Sequence, residues 1–480
     1  MGLRNLSPLP CLPFKVQTSQ GGVQQVVLVK LTLDLVALDP AERAVTGFTH
    51  RLKLAREQEA LRFADVPAPE SDFGLLLESE LTPAKPRCDV IVVAEAHAPG
   101  DKPTRRFPVG LTLTASDQPR AKPRHTRLLP PGMDLLPGQR RPSWAGVVWA
   151  EPNPRPGELL LSKRLMVTGE RWLKRRTWIA RTLAWWVKLA TLGLVRRCPW
   201  KLTRPRPIAR LPLEPGFAYG GQVQLSPAEP GFRRLPRNQR GPGAEPVQGA
   251  WEPNPAGRGF VPAWYLKAIR PRRLPAPQIE DPARPFTARA AWRAMKGQGK
   301  PQAPGPLAAQ GMGVQPRNGP VRLSHAGSWD DVWVEAGTPY PADFSPAFWN
   351  GAHPDLQCRV LEGDEILELT NLCPVRTPGA ALDAMGNTVL KFRLPGLFPY
   401  ILITCQDGDL IPAPALLDTL ILEPGAGRVT CLQRACIPVD PETRDLALLL
   451  IMPQDPRMIP IQAPSQPEGP EQEQEVAHGQ

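Results

Sequence analysis

The sequence has few of the residues and none of the motifs that mark common metal and catalytic sites. Only six histidines occur in 480 residues, and no two of the eight cysteines form a Cys-x-x-Cys pair. Structural zinc sites usually need closely spaced ligands, so no zinc site is predicted. A zinc site built from His353, Cys358 and Cys373 is the alternative. Metalloprotease, phosphate-loop, nucleophile-elbow and dinucleotide motifs are also missing. We therefore predict no catalytic residue, no metal and no cofactor.

Long apolar runs are missing as well. The main candidate, residues 183–195, contains Lys188 and is flanked by arginines. A membrane-spanning helix needs about 20 apolar residues, so no span is predicted. We favour a helix that packs on the protein or on a partner, with contact to a membrane surface through Trp185 and Trp186 as the alternative. The opening residues lack the apolar segment of a secretory signal, which predicts a cytoplasmic protein with reduced thiols.

Proline and glycine, in contrast, are abundant, with 62 and 40 residues. Proline interrupts helices, so this composition favours short strands that are separated by turns and long loops. The predicted fold is mainly β, with two β-rich, sandwich-like units, long Pro/Gly/Arg-rich loops and one or two short helices. The predicted organisation is a β-rich domain over 1–290 with insertions at 115–158 and 173–199, a Pro/Gly linker over 291–322, a β-rich domain over 323–462, and an acidic, disordered tail over 463–480.

Several segments show the alternation of apolar residues that is typical of strands. Residues 24–38 predict a half-buried strand, and residues 88–113 predict a hairpin or a loosely connected strand pair around Pro99 and Gly100. Residues 416–439 predict a second hairpin around a Pro-Gly-Ala-Gly turn. Further strands are predicted within 159–172 and 446–453, and one helix is predicted within 173–199.

Positive charge is concentrated in the centre of the chain. Residues 163–273 contain 23 Lys and Arg against five Asp and Glu. Such a block suits a solvated face or an acidic partner protein. Binding of nucleic acid through 163–273 is an alternative function, but it is not expected, because no known nucleic-acid-binding motif is present and proline interrupts the arginines.

Glu95 and His97 lie two residues apart in the apolar run that begins at Cys88. On a continuous strand they share one face, about 6.5–7 Å apart, which is a spacing that suits a general acid–base pair. An enzyme with an unrecognised site at this pair is therefore a second alternative. The favoured interpretation is the end of a scaffold strand beside the turn of Pro99 and Gly100, with His97 in a structural role more than a partner-binding one.

The order of ten motifs resembles a known bacterial family. The motifs are VVLVKLTL, LRFADVPAP, CDVIVVAEAHAPGDKPTRRFPVGLTL, KRLMVTGERW, RLPLEPGFAYGG, EPNPAGRGF, LPAPQIEDP, AGSWDDVW with PYPADFSPAFWNGAHPDLQ, LEGDEILELTNLCP and DTLILEPGAGRVTCLQRACIPV. Over about residues 20–440, the chain resembles the family of domain of unknown function 2169, which is encoded beside type VI secretion genes. The resemblance implies a non-enzymatic adaptor or chaperone that binds an effector (toxin) protein and helps load it on the secretion spike, with the spike-tip protein as a further partner.

The EPNPAGRGF motif is a candidate partner-binding loop. Its prolines and glycines, which include Pro255, Gly257 and Gly259, fix a turn that presents or buries Arg258 beside Asn254. The favoured interpretation of Arg258 is an internal arginine that binds loop carbonyl groups. A chaperone also needs aromatic residues on its loops. Those predicted to be displayed are Trp144, Trp149, Trp251, Trp264 and Tyr265.

Overall fold

A computed structural model describes most of the chain. The residues that it describes are 3–5, 7–17, 23–69, 74–83, 85–117, 154–177, 182, 185–186, 189–190, 198–235, 240, 245–297, 307–308, 310–330, 340–397, 399–404, 410–413, 415–438 and 447–451. Most of the predicted insertion at 115–158, much of the predicted helix within 173–199 and the whole predicted tail lie outside these residues. Trp144 and Trp149 lie outside them as well.

The described chain is mainly β, as predicted. The strands of the first half are β1 (Leu3–Asn5), β2 (Cys11–Gln17), β3 (Val23–Ala37), β4 (His50–Leu54), β5 (Val66–Pro67), β6 (Leu75–Leu77), β7 (Cys88–Val92), β8 (Glu95–His97), β9 (Arg106–Thr114), β10 (Leu159–Thr168), β11 (Trp172–Arg175), β12 (Trp200–Leu202), β13 (Arg210–Pro212), β14 (Tyr219–Gly220), β15 (Gln222–Leu225) and β16 (Val247–Ala250). Those that follow are β17 (Arg258–Gly259), β18 (Arg273–Pro275), β19 (Ile279–Glu280), β20 (Gln357–Cys358), β21 (Ile366–Thr370), β22 (Ala381–Leu382), β23 (Thr388–Arg393), β24 (Tyr400–Thr404), β25 (Leu410–Ala413), β26 (Leu416–Glu423), β27 (Arg428–Pro438) and β28 (Ala447–Ile451).

The helices are short. The α-helices are α1 (Pro40–Thr46), α2 (Ala263–Ala268), α3 (Ala288–Met295) and α4 (Pro320–Leu323). Single 3₁₀ turns cover Pro99–Asp101, Pro215–Phe217, Phe232–Arg234, Pro346–Trp349 and Pro354–Leu356. Helix α1 shows how local sequence sets such bounds, because Asp39 and Glu42 form a capping box at its start and Gly47, at φ 69°, ends it.

Two large sheets form the centre of the molecule. The seven-stranded sheet has the order β2-β3-β27-β26-β7-β20, with β4 paired to β3, and the six-stranded sheet has the order β19-β10-β9-β21-β23-β22. Their apolar faces contribute to one continuous hydrophobic cluster, which includes Val27 and Leu420 from the first sheet and Leu111 and Leu369 from the second. The remaining described strands form one four-stranded sheet, one three-stranded sheet and four strand pairs.

The sheets do not follow the predicted division at 291–322. Strands β3 and β7, from before this segment, pair with β27 and β26 from after it, and β9 pairs with β21. The described end of this segment, residues 310–322, is also packed into the fold, because Met312 and Val314 are buried in the central cluster. The Pro/Gly composition of the segment was misread as a linker. The two predicted β-rich parts share their sheets.

The predicted hairpin at 416–439 is confirmed, and the one at 88–113 is wrong. Strands β26 and β27 pair in antiparallel fashion around a short turn. In contrast, β7 lies in the seven-stranded sheet, β9 lies in the six-stranded sheet, and β8 pairs with β13. The turn at Pro99 and Gly100 therefore passes the chain from one sheet to another.

Strand β3 is buried on both faces rather than half-buried. Residues 26–33 are all buried, and this run includes Lys30 and Thr32 on the face opposite Val27. The segment after β4 covers this second face, since Gln58 exchanges hydrogen bonds with the Thr32 backbone. Lys30 donates to the carbonyl oxygen of Ala60 at 2.9 Å.

Ion pairs with almost no exposed surface connect distant parts of the chain. Burial of a charge is costly unless it is paired, so each pair ties its two segments together. The pairs of this kind are Lys30–Glu80, Arg171–Glu280, Arg322–Glu78 and Arg434–Asp418, while a further buried pair, Lys85–Asp89, joins residues only four positions apart.

Candidate functional site

His97 ends strand β8, where its neighbours come from two distant segments. His97 lies opposite Arg210 in the antiparallel β8–β13 pair, and its backbone N–H donates to the carbonyl oxygen of Asn371 at 2.9 Å. The His97 side chain is buried, while Glu95 is exposed. The two side chains therefore sit in different environments, although the negative charge of Glu95 acts to raise the pKa of His97.

The turn after His97 holds an acidic residue against the imidazole. Gly100 and Asp101 adopt left-handed conformations, at φ 64° and 54°, and the Gly100 N–H donates to the carbonyl oxygen of Gly386 at 3.1 Å. This conformation suits glycine and explains a Pro-Gly sequence at the turn. Asp101 Oδ1 lies 3.7 Å from His97 Nδ1.

An open cleft of about 560 Å³ lies beside this turn. We call it the His97 cleft. The residues that line it are His97, Gly100, Asp101, Ala209, Arg210, Pro374, Val375 and Arg376. Three separate segments of the chain build it, so Arg210 and Arg376 were not found from the sequence. The sequence pattern, a histidine beside a Pro-Gly turn, indicates only one of the three segments that line the cleft.

Acidification is expected to destabilise the protein through two buried histidines. Burial lowers the pKa of His97, an effect that Asp101 partly offsets, and burial also lowers the pKa of His50. The unfolded chain therefore binds protons first, and the free energy of unfolding decreases as the pH falls below the ordinary histidine value of 6.5. Urea unfolding between pH 7.5 and pH 5.5 measures this loss.

The double variant His50→Gln/His97→Gln is the control for this pH dependence. Glutamine does not titrate, so the stability of the variant is expected to change less than that of the wild type over the same range. An equal pH dependence in both proteins contradicts the assignment to these histidines.

The EPNPAGRGF loop folds against RLPLEPGFAYGG, and its polar groups are used within the protein. Arg258 Nε donates to the Gly216 carbonyl oxygen at 2.7 Å, and its guanidinium carbon lies 4.2 Å from the centroid of the Phe217 ring. The buried Asn254 amide donates to the carbonyl oxygens of Pro215 and Tyr219. Arg258 is thus an internal arginine, and a role of this loop in partner binding stays a prediction.

Close approach of backbones explains the glycines of this loop pair. An added Cβ at Gly257 lies 2.8 Å from the Ala218 carbonyl oxygen and 2.8 Å from the Gly220 Cα. Gly259 adopts φ 106°, a conformation that few other residues tolerate. Pro255 precedes both glycines in the same loop. The glycines therefore allow the EPNPAGRGF and RLPLEPGFAYGG segments, which we call the loop pair, to pack with their backbones in close contact.

The aromatic residues predicted to be displayed on loops divide into three groups. Trp251 is buried against Tyr219 and Phe260, so its predicted display is wrong. Trp264 and Tyr265 are half-buried on helix α2 with ring centroids 5.7 Å apart. Trp144 and Trp149, as stated above, are not described.

Trp185 and Trp186 form an exposed apolar surface, which we call the Trp pair. The two side chains are 56% and 61% exposed, and their ring centroids are 5.0 Å apart. Leu189, three residues further along the chain, is 55% exposed. The start of the predicted helical segment 173–199 is instead part of strand β11, since residues 172–175 pair with β12 and β18.

The described residues show neither a metal-binding cluster nor a membrane-spanning helix. Among them, no group of three or more His, Cys, Asp and Glu side chains is placed to hold a metal ion. Burial raises the pKa of Cys373 to about 11, so this thiol is not an activated nucleophile at neutral pH. Within the same residues, no helix combines the length and apolar character that crossing a bilayer requires.

The sheets define a mainly β protein, and its candidate binding surfaces are the His97 cleft and the Trp pair. The chain belongs to the bacterial family DUF2169, described as an uncharacterized protein conserved in bacteria, which it matches over residues 20–120 and 157–434. The segment between these two ranges lies within the predicted insertion at 115–158, whereas the predicted insertion at 173–199 lies inside the match. Neither a curated protein nor a solved structure matches the chain significantly.

Proposed function

We propose that this protein is a non-enzymatic, cytoplasmic adaptor that binds a type VI secretion effector and helps load it on the secretion spike. The main observation in favour is the Trp pair. Exposed tryptophans are uncommon on surfaces that face only water, and they are frequent among the residues that dominate protein–protein binding energy. The resemblance of the ordered motifs to effector adaptors supplies the identity of the partner.

Charge around the Trp pair favours an acidic partner. The Trp pair lies within the basic block of residues 163–273, where Lys and Arg exceed Asp and Glu by 23 to five. A positive surface attracts an acidic protein and orients it before contact, while the tryptophans supply apolar area for a stable complex. An effector segment with acidic residues around an apolar centre therefore fits this surface.

The scaffold also suits a binding role. Its buried charges are paired within the protein, and the polar groups of the EPNPAGRGF loop bind backbone carbonyls, so these groups serve the fold. A stiff scaffold lowers the entropy that is lost when its surface loops bind a partner. The enzyme alternative requires chemistry at Glu95 and His97, which differ in burial.

Co-purification with the toxin-like protein encoded beside the gene tests the proposal. The wild-type chain is expected to retain this effector, and Trp185→Ala/Trp186→Ala is expected to weaken the affinity at least about tenfold, since truncation of an interface tryptophan commonly costs ~2 kcal/mol or more. Phe63→Ala is a matched control, because Phe63 is an aromatic residue that is 59% exposed and lies outside the basic block.

Two results contradict the proposal. One is a wild-type chain that retains no effector. The other is a turnover activity that disappears in Glu95→Ala/His97→Ala while effector binding survives. Equal weakening by Phe63→Ala and by the tryptophan variant removes the Trp pair as the binding surface.

A further inference from the structure

The His97 cleft is lined by two arginines for which the described residues show no side-chain partner. Arg210 belongs to strand β13, and Arg376 belongs to the turn in which the Thr377 N–H donates to the Pro374 carbonyl oxygen. Both arginines are exposed, and within the described part of the chain neither makes a hydrogen bond or an ion pair. Both side chains line the same cleft, so a ligand that enters it meets two guanidinium groups.

His97 supplies a second, independent sign of a ligand site. The side chain is only 4% exposed, and its Nδ1 atom is buried without a hydrogen-bond partner. Asp101, the nearest charged group to this nitrogen at 3.7 Å, also lines the cleft. An unpaired polar atom in a buried position is unfavourable, and a polar ligand that enters the cleft offers it a partner.

The charges of the lining favour a singly charged anion. Arg210 and Arg376 contribute two positive charges, Asp101 contributes one negative charge, and no other lining residue carries a fixed charge. A carboxylate matches this balance, and guanidinium groups bind carboxylates through paired, charge-assisted hydrogen bonds. A doubly charged phosphate is expected to bind less favourably than a carboxylate, because Asp101 repels its additional negative charge.

The size and walls of the cleft favour a polypeptide over a free ion. A volume of about 560 Å³ exceeds what one carboxylate fills. Ala209, Pro374 and Val375 line the remainder with apolar surface. A peptide segment with an acidic side chain and apolar neighbours satisfies both parts.

We propose that the His97 cleft binds an acidic peptide segment of a protein partner, with a Glu or Asp carboxylate between Arg210 and Arg376. The identification of this partner as a secreted effector rests on the proposed function. The binding of an acidic peptide does not depend on the proposed function, because it follows from the charges and shape of the lining residues. The cleft is a second surface, separate in sequence from the Trp pair.

Fluorescence anisotropy with a defined probe tests the cleft. The probe is a fluorescein-labelled, C-terminally amidated octapeptide in which four Glu alternate with Ala, and its counterpart carries Gln in place of Glu. The full-length wild-type chain is expected to bind the Glu peptide at least about tenfold more tightly than the Gln peptide, since a hydrogen bond to a charged group contributes that much. Arg210→Gln and Arg376→Gln are each expected to weaken it about tenfold.

Arg206→Gln is the matched control for general electrostatic attraction. Arg206 lies four residues from Arg210 and is highly exposed, with its side chain paired to Glu170. The control is expected to bind the Glu peptide like the wild type. Equal affinity for the Glu and Gln peptides, or equal weakening in Arg206→Gln, overturns the proposal, provided that the melting temperatures of the variants agree.

The failure of this proposal and that of the adaptor function are distinguishable. If Arg-dependent binding of the Glu peptide persists but no effector co-purifies, the cleft stands and the adaptor function fails. If the effector co-purifies with wild type and Arg210→Gln/Arg376→Gln alike and the Glu peptide does not bind, the cleft fails and the adaptor function stands.

Discussion

Glu80→Ala is expected to lower the free energy of unfolding by about 3–5 kcal/mol, the usual cost of removing one partner of a buried ion pair. Glu80 Oε1 lies 2.9 Å from Lys30 Nζ, and the two side chains are 2% and 1% exposed. Glu80 Oε2 also accepts from the backbone N–H of Arg62 at 2.8 Å. After the substitution, the Lys30 ammonium keeps the half-buried Glu59 carboxylate at 3.4 Å as its nearest counter-charge.

Chemical denaturation measures this loss, and Glu170→Ala is the control. Glu170 pairs with Arg206, but their side chains are 44% and 76% exposed, so the control is expected to change stability by less than about 1 kcal/mol. Glu80→Gln retains an acceptor for Lys30 and is expected to fall between the two. A Glu80→Ala protein as stable as Glu170→Ala shows that the buried pair does not hold the segment after β4 on β3.

Lys30→Met in the Glu80→Ala background separates two contributions to the lost stability. One is the cost of a buried lysine without its main counter-charge, and the other is the interaction energy of the Lys30–Glu80 pair. Removal of the ammonium that has lost its main counter-charge is expected to restore part of the lost stability, with a coupling energy of about 0.5–3 kcal/mol in a double-mutant cycle. Strictly additive losses contradict direct coupling between the two side chains.

Gly220→Ala is expected to open the loop pair and to lower the free energy of unfolding by about 3 kcal/mol, the upper end for overpacking a well-packed site. An added Cβ lies only 2.0 Å from the carbonyl oxygen of Asn254. Relief requires movement of the backbone, because that oxygen accepts the Gly221 N–H at 2.9 Å. The Asn254 amide, which bonds the Tyr219 carbonyl oxygen, moves with it.

Gly313→Ala is the matched control for Gly220→Ala. No atom lies within 4 Å of an added Cβ at Gly313, so its effect is expected to stay within about 0.5 kcal/mol. Thermal unfolding of both variants gives the comparison, and the effector assay then shows whether an opened loop pair also reduces binding. Equal stability of the two variants contradicts the steric account of Gly220.

Local patterns in the sequence determined the strands and turns. The alternation of Val27, Val29 and Leu31 predicts strand β3, and two apolar runs around a Pro-Gly-Ala-Gly turn predict the β26–β27 hairpin. These features depend on residues within a few positions of one another, because backbone conformation and side-chain direction repeat along a strand. Family membership also follows from sequence, through the order of motifs.

Only the tertiary structure decided which strands pair and which polar residues are buried. Lys30 is buried because Glu80, 50 positions away, reaches it, and no local pattern around Lys30 indicates this. The His97 cleft likewise needs Arg210 and Arg376, which come together only because β8 pairs with β13 beside the turn after β21. Contacts between distant segments are set by the packing of the whole chain, so they appear only once the fold is known.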